Sequence, residues 1–264
     1  LWPLQESLAL TPFSIASVFI IDPLYTIPLL IAMIFGFIKG RKLSIFKTGL
    51  LANYQRLAVW MLIISSSYLM LSVGLKYYAQ DQAEQTLAAA NIDNIVRIKT
   101  MPVLPTTLMW RTVAQDEQHR FIELRGSVLD SRLPEYRYLT QYNSSAVLKA
   151  NVRQPYADRL DWFSGNWTGY RTQTLDSPQF KAKTTQLVVD DLRMMAGDTA
   201  YFSFVLALKA KQNAEWRAII PTDAPVVTVD NKPEVSRMEL VKQGFIRVFD
   251  ESVVDENGGW ELVD

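Results

Sequence analysis

The sequence predicts an α+β protein: an N-terminal transmembrane helical hairpin followed by a strand-rich mixed extracytoplasmic domain. Three observations carry this. Two long apolar stretches lie within the first 76 residues, and a basic loop separates them. Beyond about residue 92 the pattern changes to the two-residue alternation and turn punctuation of strands. The implied parts are 1–76 as the hairpin, 77–91 as a helical stalk and 92–264 as the mixed domain.

The first stretch, Phe13 to Phe37, has 25 residues and one charged side chain, Asp22. That length suits a hydrocarbon core of roughly 30 Å. Asp22-Pro23 near its middle splits it. Proline suits the first helical position and aspartate is a good cap, so Pro23 to Ile38 reads as one helix capped by Asp22. At about 1.5 Å per residue it is about 24 Å long. Phe13 to Ile21 then reads as a second short segment at or just inside the membrane face. Two readings of Asp22 stand side by side. It is a plain cap near the interface, or a functional group, because a carboxylate at membrane depth is costly.

Lys39 to Arg56 holds five basic residues and no acid, which the positive-inside rule assigns to the cytoplasm. Leu57 to Leu75 is uncharged over 19 residues and reads as the second span. Its Ser65, Ser66, Ser67 and Ser72 can bond their own helix carbonyls or a neighbouring helix. Both ends of such a hairpin lie outside, so residues after Lys76 are expected in the periplasm of a bacterium. Tyr77 to Ala90 is rich in helix formers and continues the second helix as a stalk, ended by Asn91 to Asn94.

In the remainder, Ile95 to Met101 alternates as a strand, and Pro102 and Pro105 make a turn. Thr107–Ala114 and His119–Val128 read as a hairpin, with Phe121, Glu123 and Arg125 on the face opposite Ile122, Leu124 and Gly126. Pro134 to Tyr142 is ambiguous. Ser145–Val152 and Asp158–Ser164 suggest short helices, the latter closed by Gly165. Trp167–Thr174, Thr184–Val189 and Tyr201–Leu208 read as strands, with DDLRMMAGD as a loop between the last two. Glu234 to Phe249 reads as a short helix or strand.

Composition excludes several chemistries. There are 27 basic and 27 acidic residues, which argues against a general nucleic-acid binder. There is no cysteine and a single histidine, His119, so this chain alone makes neither a thiolate nor a histidine-rich metal site. Glycine-rich phosphate loops, GxSxG and HExxH are absent from the sequence. His119 reads as an exposed residue at a charged turn. Asp190 and Asp191 point to opposite strand faces, so a local pair with Arg193 is expected over a shared ion. The Asn143 and Asn166 glycosylation patterns matter only in a eukaryotic secretory protein. The aromatic residues between 136 and 170 read as core and rim.

The segment FIIDPLYTIPLL resembles one carried by a family of bacterial inner-membrane metal-dependent hydrolases (YdjM-like). Leu1-Trp2-Pro3, PTTLMWRTVA from Pro105 and LVVDDLRM from Leu187 are similar to later and flanking parts of that family. The family's histidine and aspartate motifs lie in an N-terminal membrane half that this chain does not contain. The resemblance therefore implies a C-terminal part of such a protein, which begins without methionine and is partnered by the missing half and by the lipid bilayer. It implies a divalent metal in the complete protein and none in this chain alone. It implies Asp22 as a metal-site member and Asp22 and Tyr25 as candidate catalytic groups lining one cavity. A phosphoester or lipid-linked substrate suits a site at the membrane surface. The other class of reading is a non-enzymatic membrane-anchored module whose outer domain binds a partner or an envelope component.

Overall fold

A computed structural model of the chain describes residues 15–18, 22–40, 53–103, 106–142, 155–177, 182–196, 199–209, 215–218, 242, 246–250 and 260–263. The fold is α+β with two antiparallel sheets. Helix α1 spans Pro23–Gly40 and helix α2 spans Asn53–Ala89. The expected second span and the stalk are thus a single 37-residue helix. Gly74 does not break it, because an isolated glycine costs only about 1 kcal/mol inside a helix. Pro28 sits inside α1, where its missing N–H leaves the Leu24 carbonyl without its usual helical donor.

The end of α2 follows from asparagine. Asn91 takes a positive φ of 54°, and Ile92 N–H reaches back to the Leu87 carbonyl at 2.9 Å. This is a left-handed cap with its apolar contact, since Leu87 and Ile92 share one cluster.

The first sheet is a meander of β1 (Ile95–Pro102), β2 (Met109–Asp116), β3 (Phe121–Ser127) and β4 (Glu135–Tyr138), in that spatial order. The expected hairpin is β2–β3, with Ala114 opposite Ile122 and Thr112 opposite Leu124. Those apolar residues face α2, where Ala83 and Leu87 complete a buried cluster. The opposite face joins Val113 and Phe121 to Tyr142, Trp167, Leu192 and Met195.

Helix α3 (Pro155–Ser164) ends at Gly165, whose φ of 64° suits a residue without a Cβ. The second sheet has the order β10 (Arg217–Ala218), β9 (Ser203–Lys209), β6 (Ala182–Asp191), β5 (Thr168–Ser177). Helix α3 covers one of its faces, with Ala157 and Leu160 against Tyr170, Leu187 and Val189. At the end of the expected loop DDLRMMAGD, β7 (Met195–Ala196) pairs with β8 (Thr199–Ala200), which follows it. The loop expectation is corrected at Met195–Ala196, where Met195 packs in the core cluster and the segment forms a small ribbon.

The described start of the chain meets both α2 and the first sheet's core cluster. Residues 15–18 are not helical. Lys76 Nζ donates to the Ile15 carbonyl, and Ala16 packs against the cluster beneath the first sheet. This part of the apolar run therefore touches α2 at Lys76 and the core cluster of the mixed domain. The helix expected at Ser145–Val152 lies outside the described residues, as does Pro105. Of Glu234–Phe249, residues 246–249 are helical.

Gly169 is a close-approach position. A Cβ there would meet the Tyr142 ring at 2.5 and 2.8 Å and Leu192 at 2.9 Å. Gly169→Ala is therefore expected to lower stability by about 1–3 kcal/mol through overpacking, measured by denaturant unfolding.

Candidate functional site

Asp22 is 1% exposed although it precedes an apolar helix. It occupies the cap position, with Pro23 first in the helix. Its Oδ1 accepts the N–H of Leu24 at 2.9 Å and of Tyr25 at 3.4 Å. Its backbone carbonyl accepts the N–H and the hydroxyl of Thr26 at 3.0 and 2.8 Å. The Leu24 and Tyr25 N–H groups are donors that a helix start otherwise leaves without partners. The other carboxylate oxygen accepts the Tyr68 phenol of α2 at 2.7 Å.

The Tyr68 oxygen lies 3.0 Å from Thr107 Oγ1 in the β1–β2 connection. A phenol has one proton, and Asp22 takes it, so Thr107 is the donor in that second contact. Thr107 in turn offers its carbonyl to the Trp110 indole N–H at 2.8 Å. One chain of hydrogen bonds thus runs from the start of α1, across α2, into the first sheet. Ser65 adds a bond to the Tyr25 carbonyl at 3.2 Å, while Ser72 bonds back to Leu69 in its own helix at 2.7 Å. What Tyr25 shares with Asp22 is its backbone N–H.

Among the described residues the Asp22 carboxylate meets two backbone N–H groups and a phenol, all of them hydrogen-bond donors. Among the described residues no three His, Asp or Glu side chains are grouped to hold an ion. His119 is exposed on the β2–β3 turn at a φ of 63°. Asp190 and Asp191 separate as expected. Asp191 makes a bidentate pair with Arg193 at 2.6–3.3 Å, whereas Asp190 accepts from Tyr142 at 2.9 Å and Arg171 at 2.6 Å.

A second charged cluster was not foreseen. Glu123 on β3 is fully buried, and Arg111, Arg125 and Arg137 converge on it. Arg137 approaches at 2.6 Å and Arg125 at 3.2 Å. Arg111 also donates to the Leu192 carbonyl, fastening the two sheets together. Strand register explains the convergence: Val113 and Arg137 flank Glu123, and Arg111 stands opposite Arg125. The sequence signal was available in the shared face of Phe121, Glu123 and Arg125. Charges at alternate strand positions usually mark the wet face, and here they mark the inner one. Beside this cluster, Arg247 pairs with Asp130 at 2.9 Å and Glu135 at 3.2 Å.

Between α2 and the first sheet lies a small open cleft, lined by Tyr78, Gln82, Trp110, Asp130 and Arg132 among others. Tyr142, Trp167 and Tyr170 are buried, in keeping with their reading as core. Comparison with protein-family models, with curated proteins and with solved structures gives no match to this chain.

Burial alone would raise the Glu123 carboxyl, but the three guanidinium groups outweigh it and hold it well below the usual carboxylate range. A depressed folded value means the stabilisation is complete above the unfolded value of about 4.3. It drains away as pH falls towards the folded value. Glu123→Gln leaves the guanidinium groups uncompensated and is expected to cost about 3–5 kcal/mol at neutral pH. Denaturant unfolding between pH 7 and 3 should show the wild type losing stability on acidification and the variant lacking that part of the slope.

Proposed function

We propose that this chain is a membrane-anchored module in which α1 and the first part of α2 form a hairpin in a bacterial inner membrane and the sheets form a periplasmic domain. The observation that carries this is exposed apolar surface. Helix α2 is long and apolar enough to cross a membrane, and only 11% of its most apolar 18-residue stretch is buried. Met33, Phe37, Trp60, Leu62 and Met70 all stand well exposed on the two helices. Monomeric soluble proteins rarely leave contiguous apolar patches larger than a few hundred Å² in water. The five basic residues from Lys39 to Arg56 support a cytoplasmic connection.

The likeness of FIIDPLYTIPLL to bacterial inner-membrane metal-dependent hydrolases supports placing the module within such a protein. In this reading the chain supplies anchorage and scaffold, and the metal donors come from outside it. The proton donors around Asp22 support a structural role for that carboxylate and Tyr25 alike. The second reading, a partner-binding module without hydrolytic chemistry, is supported by the same satisfied cap and by the cleft beside α2.

Because the chain has no cysteine, single introduced thiols report topology directly. In intact spheroplasts, a membrane-impermeant maleimide is expected to label Asp93→Cys and to leave Ser44→Cys unlabelled until lysis. Equal labelling of both, or the reverse order, contradicts the assignment. The purified chain with Mg²⁺, Mn²⁺ or Zn²⁺ is expected to show no hydrolysis of p-nitrophenyl phosphate above the Asp22→Asn background. Metal-dependent turnover abolished by Asp22→Asn would overturn the scaffold role.

A further inference from the structure

The last described residues lie on the edge of the first sheet. Among the described strands β4 stands at the edge of the sheet, beside β3. Tyr136 and Glu261 exchange both backbone bonds, at 3.0 and 2.7 Å, as an antiparallel bridge. The Tyr136 phenol donates to the Glu261 carboxylate at 2.5 Å. One residue earlier, the Trp260 ring lies 4.7 Å from the Arg125 guanidinium and 4.4 Å from that of Arg137. The buried Trp260 Nε1 makes no hydrogen bond among the described residues, so the ring is held by its π face.

Each contact is of a kind that recognises a peptide. An unpaired strand edge offers backbone donors and acceptors to any extended segment. Two guanidinium groups, fixed from beneath by Glu123, present a flat cationic floor for an aromatic ring. Tyr136 reads the following carboxylate. The contact is also local: the bridge is one residue pair, and Glu261 and Leu262 remain exposed. Elements with so few buried contacts open at low free energy.

We propose that the β4 edge, with Arg125, Arg137 and Tyr136, is a peptide-binding site whose ligand is the chain's own Trp260–Glu261 segment, bound as an exchangeable strand. The site takes an extended peptide with an aromatic side chain followed by a carboxylate, and the same segment of a second copy fits it equally. It stands on the first sheet alone and does not depend on the membrane assignment.

The test uses the full chain with Trp260→Ala and Glu261→Lys, which empties the site, and a fluorescein-labelled peptide Gly-Trp-Glu-Leu-Val-Asp. Anisotropy is expected to show saturable binding to the emptied chain and much weaker binding to the wild type, whose site is filled. Replacing the peptide's tryptophan with alanine should weaken binding about tenfold. No saturable binding to the emptied chain, or binding indifferent to the tryptophan, overturns the proposal. Hydrogen exchange on the unmodified chain provides a second reading that does not require the variant to fold. The Glu261 amide is expected to exchange at least about tenfold faster than that of Leu124 in the core. Equal protection of the two shows a permanent strand and overturns exchange.

Discussion

The structure depends on how one buried carboxylate is satisfied. A helix that starts inside protein or lipid presents N–H groups with no partners, and a buried carboxylate presents charge with no water. Asp22 answers both needs by capping α1 with one oxygen. Its second oxygen holds the Tyr68 phenol, and through Thr107 the bond continues to the first sheet. The cap is therefore also a joint. It sets the level of α1 against α2 and sets both against the β1–β2 connection.

From that joint upward, α2 acts as the beam on which the first sheet is laid. Its apolar face receives Ala114, Ile122 and Leu124, so the sheet's remaining face must pack elsewhere. That inner face is unusual in carrying Glu123 and three arginines alongside Val113 and Phe121. Buried ion pairs contribute little to stability when compared with apolar residues of the same shape, and cost a great deal when broken. Their contribution here is geometric. Arg111 reaches the Leu192 carbonyl and so fixes how the segment leaving the second sheet meets the first. Arg97 does the same at the sheet's edge, stacking 4.5 Å from the Trp167 ring and donating to the Asn166 carbonyl at 2.6 Å.

What was legible in the sequence was local. Asp22-Pro23 announces a capped helix because both residues act within one turn, and the hairpin of β2 and β3 shows in its alternation. Asn91 and Gly165 mark helix ends because each takes a conformation that other residues avoid. What was not legible depends on distance along the chain. Tyr68 is 46 residues from Asp22 and 39 from Thr107, and no spacing rule links them. The inward charge of Glu123 was hidden for a related reason: alternation divides two faces but does not say which one is wet.

The central claim is that Asp22 and Tyr68 act together to bind the helical hairpin to the sheets. A double-mutant cycle of Asp22→Asn and Tyr68→Phe, read by unfolding of the chain in lipid nanodiscs, tests it most directly. The account predicts a coupling of about 1–3 kcal/mol, because Tyr68→Phe removes the donor and Asp22→Asn, with its one oxygen kept on the cap, puts an amide NH2 where the phenol's acceptor was. Losses that add, within about 0.3–0.5 kcal/mol, would contradict it and leave Asp22 as a cap with no part in joining the two regions.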